Sequence, residues 1–310
     1  MLLIQYTLLF ASVLILVALG GCFSEHSGVI NIGLEGIMVM GALGGALMMK
    51  FLPDGTSAIV MIVLVVLAAI LLGMLYSLLL GVAAINFKAD QTLVGTAMNL
   101  LGTAAATVFV KAMNTAESVD NVSSTIQYIN AKKAFLVNIN GFEFNWFMLL
   151  ALIALVCSYV VLYKTRFGLR LMACGEHPQA ADSVGINVYK MRYAGVLISG
   201  ALAGLGGLVF ILPTTTTYTA SVSGYGFLAM SVVVFGQWKP WGIALGALFF
   251  GLTKTIAASY SVIPFLYNLG IPEAFFKMLP YVATLIVLAF STKRSNAPGV
   301  IGVPYDKSKR

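Results

Sequence analysis

The sequence predicts an all-α, polytopic membrane protein, and three observations carry that reading. Of its 310 residues, 60% are hydrophobic and only 9% charged, whereas soluble domains carry about 25% charged residues. The mean hydropathy is +0.96. The run SAIVMIVLVVLAAILLGMLYSLLLGVAAI, residues 57–85, holds no charge and exceeds the roughly 20 residues that a helix needs to cross a bilayer. Third, the basic residues that give the net charge of +7 are clustered. Lys164, Arg166, Arg170, Lys190 and Arg192 bracket one polar loop, and Lys293, Arg294, Lys307, Lys309 and Arg310 sit in the C-terminal tail. That placement follows the positive-inside rule for cytoplasmic segments and argues against a nucleic-acid partner. A β-barrel would show segments of about ten residues with alternating polarity, and none is present.

Apolar runs read against polar breaks predict helices near 2–21, 28–52, 57–86, 91–112, 143–163, 192–212, 222–237, 241–260 and 276–292. Residues 113–142 carry balanced charge, with Lys132 and Lys133 set against Glu117 and Asp120, and are expected to form a large external loop. Loop 164–191 and tail 293–310 are then both cytoplasmic. Nine crossings place the N-terminus outside. Two half-crossings within 22–52 would make ten and bring it inside, and the glycines of that stretch favour this second arrangement. The whole chain, 1–310, reads as one transmembrane domain of about 9–10 segments, including broken, Gly-rich half-helices.

The first helix ends in ALGGC at Cys22, which looks like a lipoprotein cleavage box. A signal peptide begins with a basic stretch, and MLLIQYT has none, so residues 1–21 are expected to remain as a helix. Cys22, Cys157 and Cys174 lack metal-like or paired spacing. Small residues four apart, Gly200 with Gly204 and Gly242 with Gly246, suit close helix packing in lipid. The Thr-rich strip PTTTTYTASVSGYG, residues 213–226, lies between two apolar runs. It reads either as an external loop or as polar backbone lining a water-filled cavity.

Catalytic patterns are missing. His26 and His177 are far apart, with no metal spacing and no nucleophile elbow. GALFFGLTKT, residues 246–255, separates its last glycine from Lys254 by two residues, so it fails the phosphate-loop pattern. The chain is therefore expected to bind no cofactor and to hydrolyse no ATP itself. In the polar loop, Pro178 suits a first helical turn and Gly185 a stop. Together they predict a helix of about seven residues, near 10 Å long. On its residues alone this is an ordinary connector; a short Ala-rich helix between glycines also suits docking into a groove.

That loop, GEHPQAADSVGINVYKMRYAGVLISGALAGLGG, resembles the cytoplasmic coupling loop and following helix of permease subunits in ABC importers. The branch is the one that handles branched-chain amino acids, ribose-type sugars and nucleosides. Its pattern of Gly, Glu, a pair of alanines and Gly-Ile appears here as Gly175, Glu176, Ala180, Ala181, Gly185 and Ile186. EHSGVINIGLEG is similar to a second family stretch, with His26 where arginine is usual, so no role carries over for that side chain. The ending, through PYD at Pro304–Asp306, resembles the nucleoside-type members, as do ADQTLVGTAMNLLG and YGFLAMSVVVFGQWKPWG.

The resemblance implies the permease fold of ABC importers and a place in the bacterial cytoplasmic membrane. It implies three partners: a second related permease chain, a cytoplasmic ABC ATPase that uses the ATP, and an extracellular solute-binding lipoprotein. ATPase coupling would fall on Gly175, Glu176, Pro178, Ala180, Ala181, Gly185 and Ile186. Asn31 is expected as a helix N-cap, with Glu35 in the first turn, where the helix dipole favours a carboxylate. Glu35 would either face substrate or clamp neighbouring amides. The substrate path is expected along Asn31, Glu35, Asn99, Thr214, Thr215, Thr216, Thr217, Tyr218 and Tyr225. The substrate is expected to be a nucleoside, with a ribose- or galactose-type sugar as the alternative. A stand-alone ion-coupled carrier should keep ionisable residues deep in several helices; here Glu35 and Lys254 nearly exhaust them.

Overall fold

The computed structural model describes residues 2–53, 55–128, 136–139, 142–259, 272–291 and 296–307. Its helices are α1 (Leu2–His26), α2 (Leu34–Phe51), α3 (Ala58–Gly81), α4 (Gln91–Glu117), α5 (Trp146–Lys164), α6 (Arg166–Glu176), α7 (Pro178–Ser183), α8 (Val188–Thr214), α9 (Tyr225–Phe235), α10 (Pro240–Ser259) and α11 (Glu273–Ser291). Among the described residues, seven helices are long and apolar enough to cross a membrane, and Tyr225–Phe235 and Ala274–Ile286 are shorter apolar helices. Each of the nine expected apolar runs contains a helix. α3 ends in a wide π-turn, Val82–Asn86, and short antiparallel ribbons pair Ile126–Gln127 with Thr217–Tyr218 and Leu136–Ile139 with Phe142–Asn145.

Burial separates a centre from a rim. Within α1 and α8, 83% and 78% of the apolar window is buried, against 17% in α3 and 28% in α5. So α1, α2 and α8 form the core, while α3 and α5 turn residues such as Leu71, Leu75, Leu152 and Ile153 outward. Lipid is as apolar as leucine, so small residues and close backbone approach hold such helices together. The tightest approach lies where α2, α3 and α8 meet. A Cβ added to Gly41 would sit 2.2 Å from Gly204 Cα, and one added to Gly73 would sit 2.4 Å from Gly200 O. The Gly200/Gly204 pair is thus a two-sided seam, with α2 on one side and α3 on the other.

These contacts also set direction. Gly20 meets Ser199 while Val17 meets Gly206, so α1 runs against α8; Asn31 meets Ser199 and Gly45 meets Leu208, so α2 runs with it. The α1 N-terminus and the C-terminal tail, which hydrogen-bonds Gly28 through Gly302, therefore lie at opposite ends of the bundle. This corrects the expected division of 22–52 into two half-crossings. Residues 22–26 complete α1, Ser27–Gly33 form the break, and 34–51 are one helix. The glycines of α2 serve packing, not a second interruption. The half-length helix is α9, and the described residues hold nine apolar helices in all.

The seam predicts a stability result. Gly41→Ala should cost about 1–3 kcal/mol, the usual penalty of overpacking. Leu71→Ala on the exposed face of α3 should stay within about 0.5 kcal/mol. Thermal unfolding of the detergent-solubilised protein compares the two.

Candidate functional site

The break Ser27–Gly33 is the first feature to build. It starts beside Arg192, near the start of α8, and reaches Ser199, about 10 Å further along that helix at 1.5 Å per residue. Irregular backbone therefore lies inside the bundle, where every polar group needs a protein partner. Gln91 Oε1 accepts Ile30 N–H at 2.7 Å, and Ser24 Oγ donates to Val29 O at 2.7 Å. Asn99 closes the break: its Nδ2 donates to Ile32 O at 2.9 Å and its Oδ1 accepts Gly36 N–H at 2.8 Å.

Asn31 is not the N-cap. Gly33 holds that position with no side-chain hydrogen bond, and the fully buried Asn31 donates instead to Ser199 Oγ at 2.9 Å. Two turn residues, Ile32 and Gly33, separate Asn31 from the start of α2, and its side chain reaches α8 instead. Its Oδ1 has no hydrogen-bond partner among the described residues.

Glu35 does occupy the first turn of α2, and it spans to a second helix start. Its two oxygens accept Gly224 N–H at 2.8 Å and Gly226 N–H at 2.7 Å, two of the amides that open α9. The positive ends of two helix dipoles therefore meet one carboxylate. The clamping reading of Glu35 was anticipated; that the clamped amides lie 189 and 191 residues away carried no sequence signal.

The Thr-rich strip divides. Thr214 and Thr215 finish α8, with their hydroxyls turned back to Phe210 O and Ile211 O. Tyr128 OH reaches Thr215 Oγ1 at 2.7 Å, and burial pushes that phenol up to about 12. Tyr128 N–H donates to Thr216 O. Thr217 and Tyr218 pair with Gln127 and Ile126, and buried Tyr218 donates to Val39 O at 3.1 Å. Thr215 to Tyr218 thus tie the strip to the opposite loop, whereas Thr214 and Tyr225 line a cavity of about 450 Å³. Phe10, Phe210, Ser223, Lys254, Ala257, Ala258 and Tyr281 complete its wall. The structure brings Asn31, Glu35 and Asn99 together at the break, and Tyr225, between the two glycines that Glu35 holds, leads from there to the cavity that Thr214 also lines.

At the other end, α6 and α7 form the expected short segment. Thr165 caps α6 through Gly168 N–H, and Pro178 is the first residue of α7. Gly185 at φ +84 ends α7, with Gly185 N–H bonded to Asp182 O and Ile186 N–H to Ala181 O, the Schellman pairing that satisfies terminal carbonyls. Ala180 is exposed, but Ala181 is buried against Cys174, Val188 and Tyr305. Burial raises the Cys174 thiol to about 11, so it packs as a small apolar group.

The tail then straps this end. Glu176 Oε2 accepts Gly299 N–H at 3.0 Å, and Gly175 O accepts Val300 N–H. Gly28 O accepts Gly302 N–H, and Arg192 donates to Val303 O at 3.0 Å. Tyr305 packs edge-on to Tyr189, and Asp306 pairs with Lys88 at 2.8 Å. Sequence reading placed this tail only by charge and missed the strap, because backbone donors carry no residue signature. Lys293, Arg294, Lys309 and Arg310 lie outside the described residues.

Residues 3–288 match the family described as branched-chain amino acid transport system / permease component. The chain is 41% identical to the guanosine ABC transporter permease protein NupQ of Bacillus subtilis, covering 98% of this chain and 96% of the relative. It is 38% identical to the nucleoside ABC transporter permease protein NupC of Lactococcus lactis, covering 97% and 96%. At 29% identity, with 95% and 93% covered, it resembles a putative glucose ABC transporter permease protein, TsgC13, of Haloferax volcanii.

The carboxylate clamp predicts graded variants. Glu35→Ala leaves two α9 amides without an acceptor, each costing about 1–3 kcal/mol when buried. Glu35→Gln keeps one acceptor oxygen and should lose about half as much. Limited proteolysis across 219–226, with thermal unfolding, should rank wild type above Gln above Ala.

Proposed function

The chain belongs to the branched-chain amino acid transport system / permease component family, and from that membership we propose that it is the membrane half of an ATP-driven importer of nucleosides. It is a multi-pass membrane protein and an ABC transporter permease. The observation that carries the substrate is near-full-length identity of 41% and 38% to two nucleoside-class permeases, against 29% to a glucose-class one. A cavity of about 450 Å³ with aromatic walls and few polar groups suits a flat base on a small sugar. A sugar permease is the alternative reading.

In the assembly we infer, the end holding α6, α7 and the tail faces the cytoplasm, since Lys164, Arg166, Arg170 and Lys190 lie there. The ribbons and the described residues 118–128 face outward. A cytoplasmic ABC ATPase binds and hydrolyses ATP and docks on the outer face of α7, where Ala180 and Val184 are exposed. This chain holds no cofactor of its own. Gly175, Glu176, Pro178, Gly185 and Ile186 shape that segment, and buried Ala181 fixes it to the body of the protein instead of meeting the partner. A second related permease completes the pore, and an extracellular solute-binding lipoprotein delivers substrate in the bacterial cytoplasmic membrane. Tight capture belongs to that receptor, so the path needs only weak sites. Asn31, Glu35 and Asn99 shape the path by holding the break and the α9 start; Thr214 and Tyr225 meet the substrate.

Two measurements test this reading. Ala180→Arg should leave membrane insertion intact and abolish ATP-dependent uptake; wild-type uptake would remove α7 as the docking element. Deleting the gene should abolish uptake of radiolabelled nucleosides at about micromolar concentration and spare ribose and leucine. Lost ribose uptake with intact nucleoside uptake would move the substrate to sugars and leave the architecture unchanged.

A further inference from the structure

Lys254 is the basic side chain of the cavity beyond the α9 start. Its ammonium lies 5.0 Å from the Tyr225 ring centre and 5.6 Å from that of Tyr281. Among the described residues it donates no hydrogen bond, and the carboxylate that reaches it electrostatically is Glu35, whose oxygens are already engaged by Gly224 and Gly226. An ammonium has three donors and no acceptor role. Here they point into a space of about 450 Å³, inside the range of about 300–1,000 Å³ typical of small-molecule sites. An ionisable group kept within a membrane span is costly unless it has work to do.

The wall around it is aromatic and layered. Phe210 packs on Tyr225 with centroids 4.7 Å apart, and Phe10 packs on the same ring at 5.9 Å. All three are buried, while Tyr281 across the cavity is 57% exposed. Thr214 and Ser223 bring hydroxyls to the exposed side. A planar, uncharged, acceptor-bearing ligand satisfies all of these groups at once. A phosphate would not, because Glu35 already offsets the single cation.

We propose that this cavity is the nucleobase site of the permease, with Lys254 the binding residue that selects bases carrying a ring carbonyl. The proposal rests on the nucleoside reading given above. A 6-oxopurine presents two adjacent acceptors, O6 and N7, to one ammonium, the pairing by which lysine reads guanine in nucleic acids. Adenine offers N7 beside an amino group, which turns a donor toward the cation. Stacking on the exposed ring of Tyr281 is common to both bases, since every base has a π-face. Ser223, and Thr214 as an acceptor because its own proton goes to Phe210 O, are placed for the ribose hydroxyls.

The test uses the whole transporter in proteoliposomes, with the receptor saturated by radiolabelled guanosine or adenosine. Lys254→Met should lower guanosine uptake about tenfold, the scale of one charge-assisted hydrogen bond, and change adenosine uptake by less than about twofold on the same scale. Lys254→Arg should restore guanosine uptake. Tyr281→Leu, on the exposed wall, should lower both by about tenfold, as loss of one stacking face does. Unchanged guanosine uptake in Lys254→Met at equal protein level overturns the site, and so does equal loss of both substrates. Wild-type vesicles that take up no nucleoside overturn the substrate reading itself, a result independent of any variant.

Discussion

One carboxylate joins two helix starts in the middle of this bundle. Glu35 sits in the first turn of α2 and accepts the amides of Gly224 and Gly226 at the start of α9. A helix that begins inside a membrane exposes four N–H groups with no partner of their own, and lipid supplies no acceptor. The protein needs such a beginning at α2, because the break at Ser27–Gly33 keeps chain without helical bonding at the depth of Ser199. Without an internal acceptor α9 could not start where it does. The cavity wall at Tyr225 is set by that start, as is the strip from Thr214 to Ser223 that leads into it.

The break itself is held by amides, hydroxyls and carbonyls, not by ion pairs. Asn99, Gln91 and Ser24 each satisfy one irregular backbone group. Neutral hydrogen bonds of this kind hold a unique backbone path without placing extra charge at depth. At the far end the same economy appears in the strap. The exposed pair of Lys88 with Asp306 contributes little, as exposed ion pairs do. The backbone bonds from Gly299, Val300 and Gly302 fix the tail against α6 and Gly28.

Much of the fold was legible in the sequence. Apolar runs located all nine apolar helices, since a bilayer imposes one length and one composition on every crossing. Gly185 and Pro178 bounded α7 correctly, because a left-handed C-cap and a fixed φ are local demands. Legibility failed where a residue's partner is remote. Asn31 has the chemistry of an N-cap, yet its amide went to Ser199. Ala181 looked like a docking residue, and α7 turns it inward against Tyr305. The glycines of α2 suggested a broken helix, whereas they are the close-packing surface for Gly204 and Met98. Lys254 could be seen as a deep cation, but not as one framed by Tyr225 and Tyr281.

The two ends of the molecule are linked by few and stiff contacts. Below α7, Gly175 packs against His26 O and the strap reaches Gly28 O through Gly302. From Gly28 the break leads directly to Glu35, Glu35 to the α9 start, and α9 to Tyr225 in the cavity. Coupling between distant sites requires a contiguous physical element that both ends can bias. For the importer proposed above, we take the break with its strap as that element. It is built from irregular backbone that can change φ and ψ without breaking a helix, and it is gripped at both ends by hydrogen bonds. A regular helix through residues 22–52 would have joined the same points with less freedom to switch. An unheld loop would have joined them without transmitting displacement. A clamped break avoids both failures, which is a physical reason for an interrupted chain at the centre of this permease.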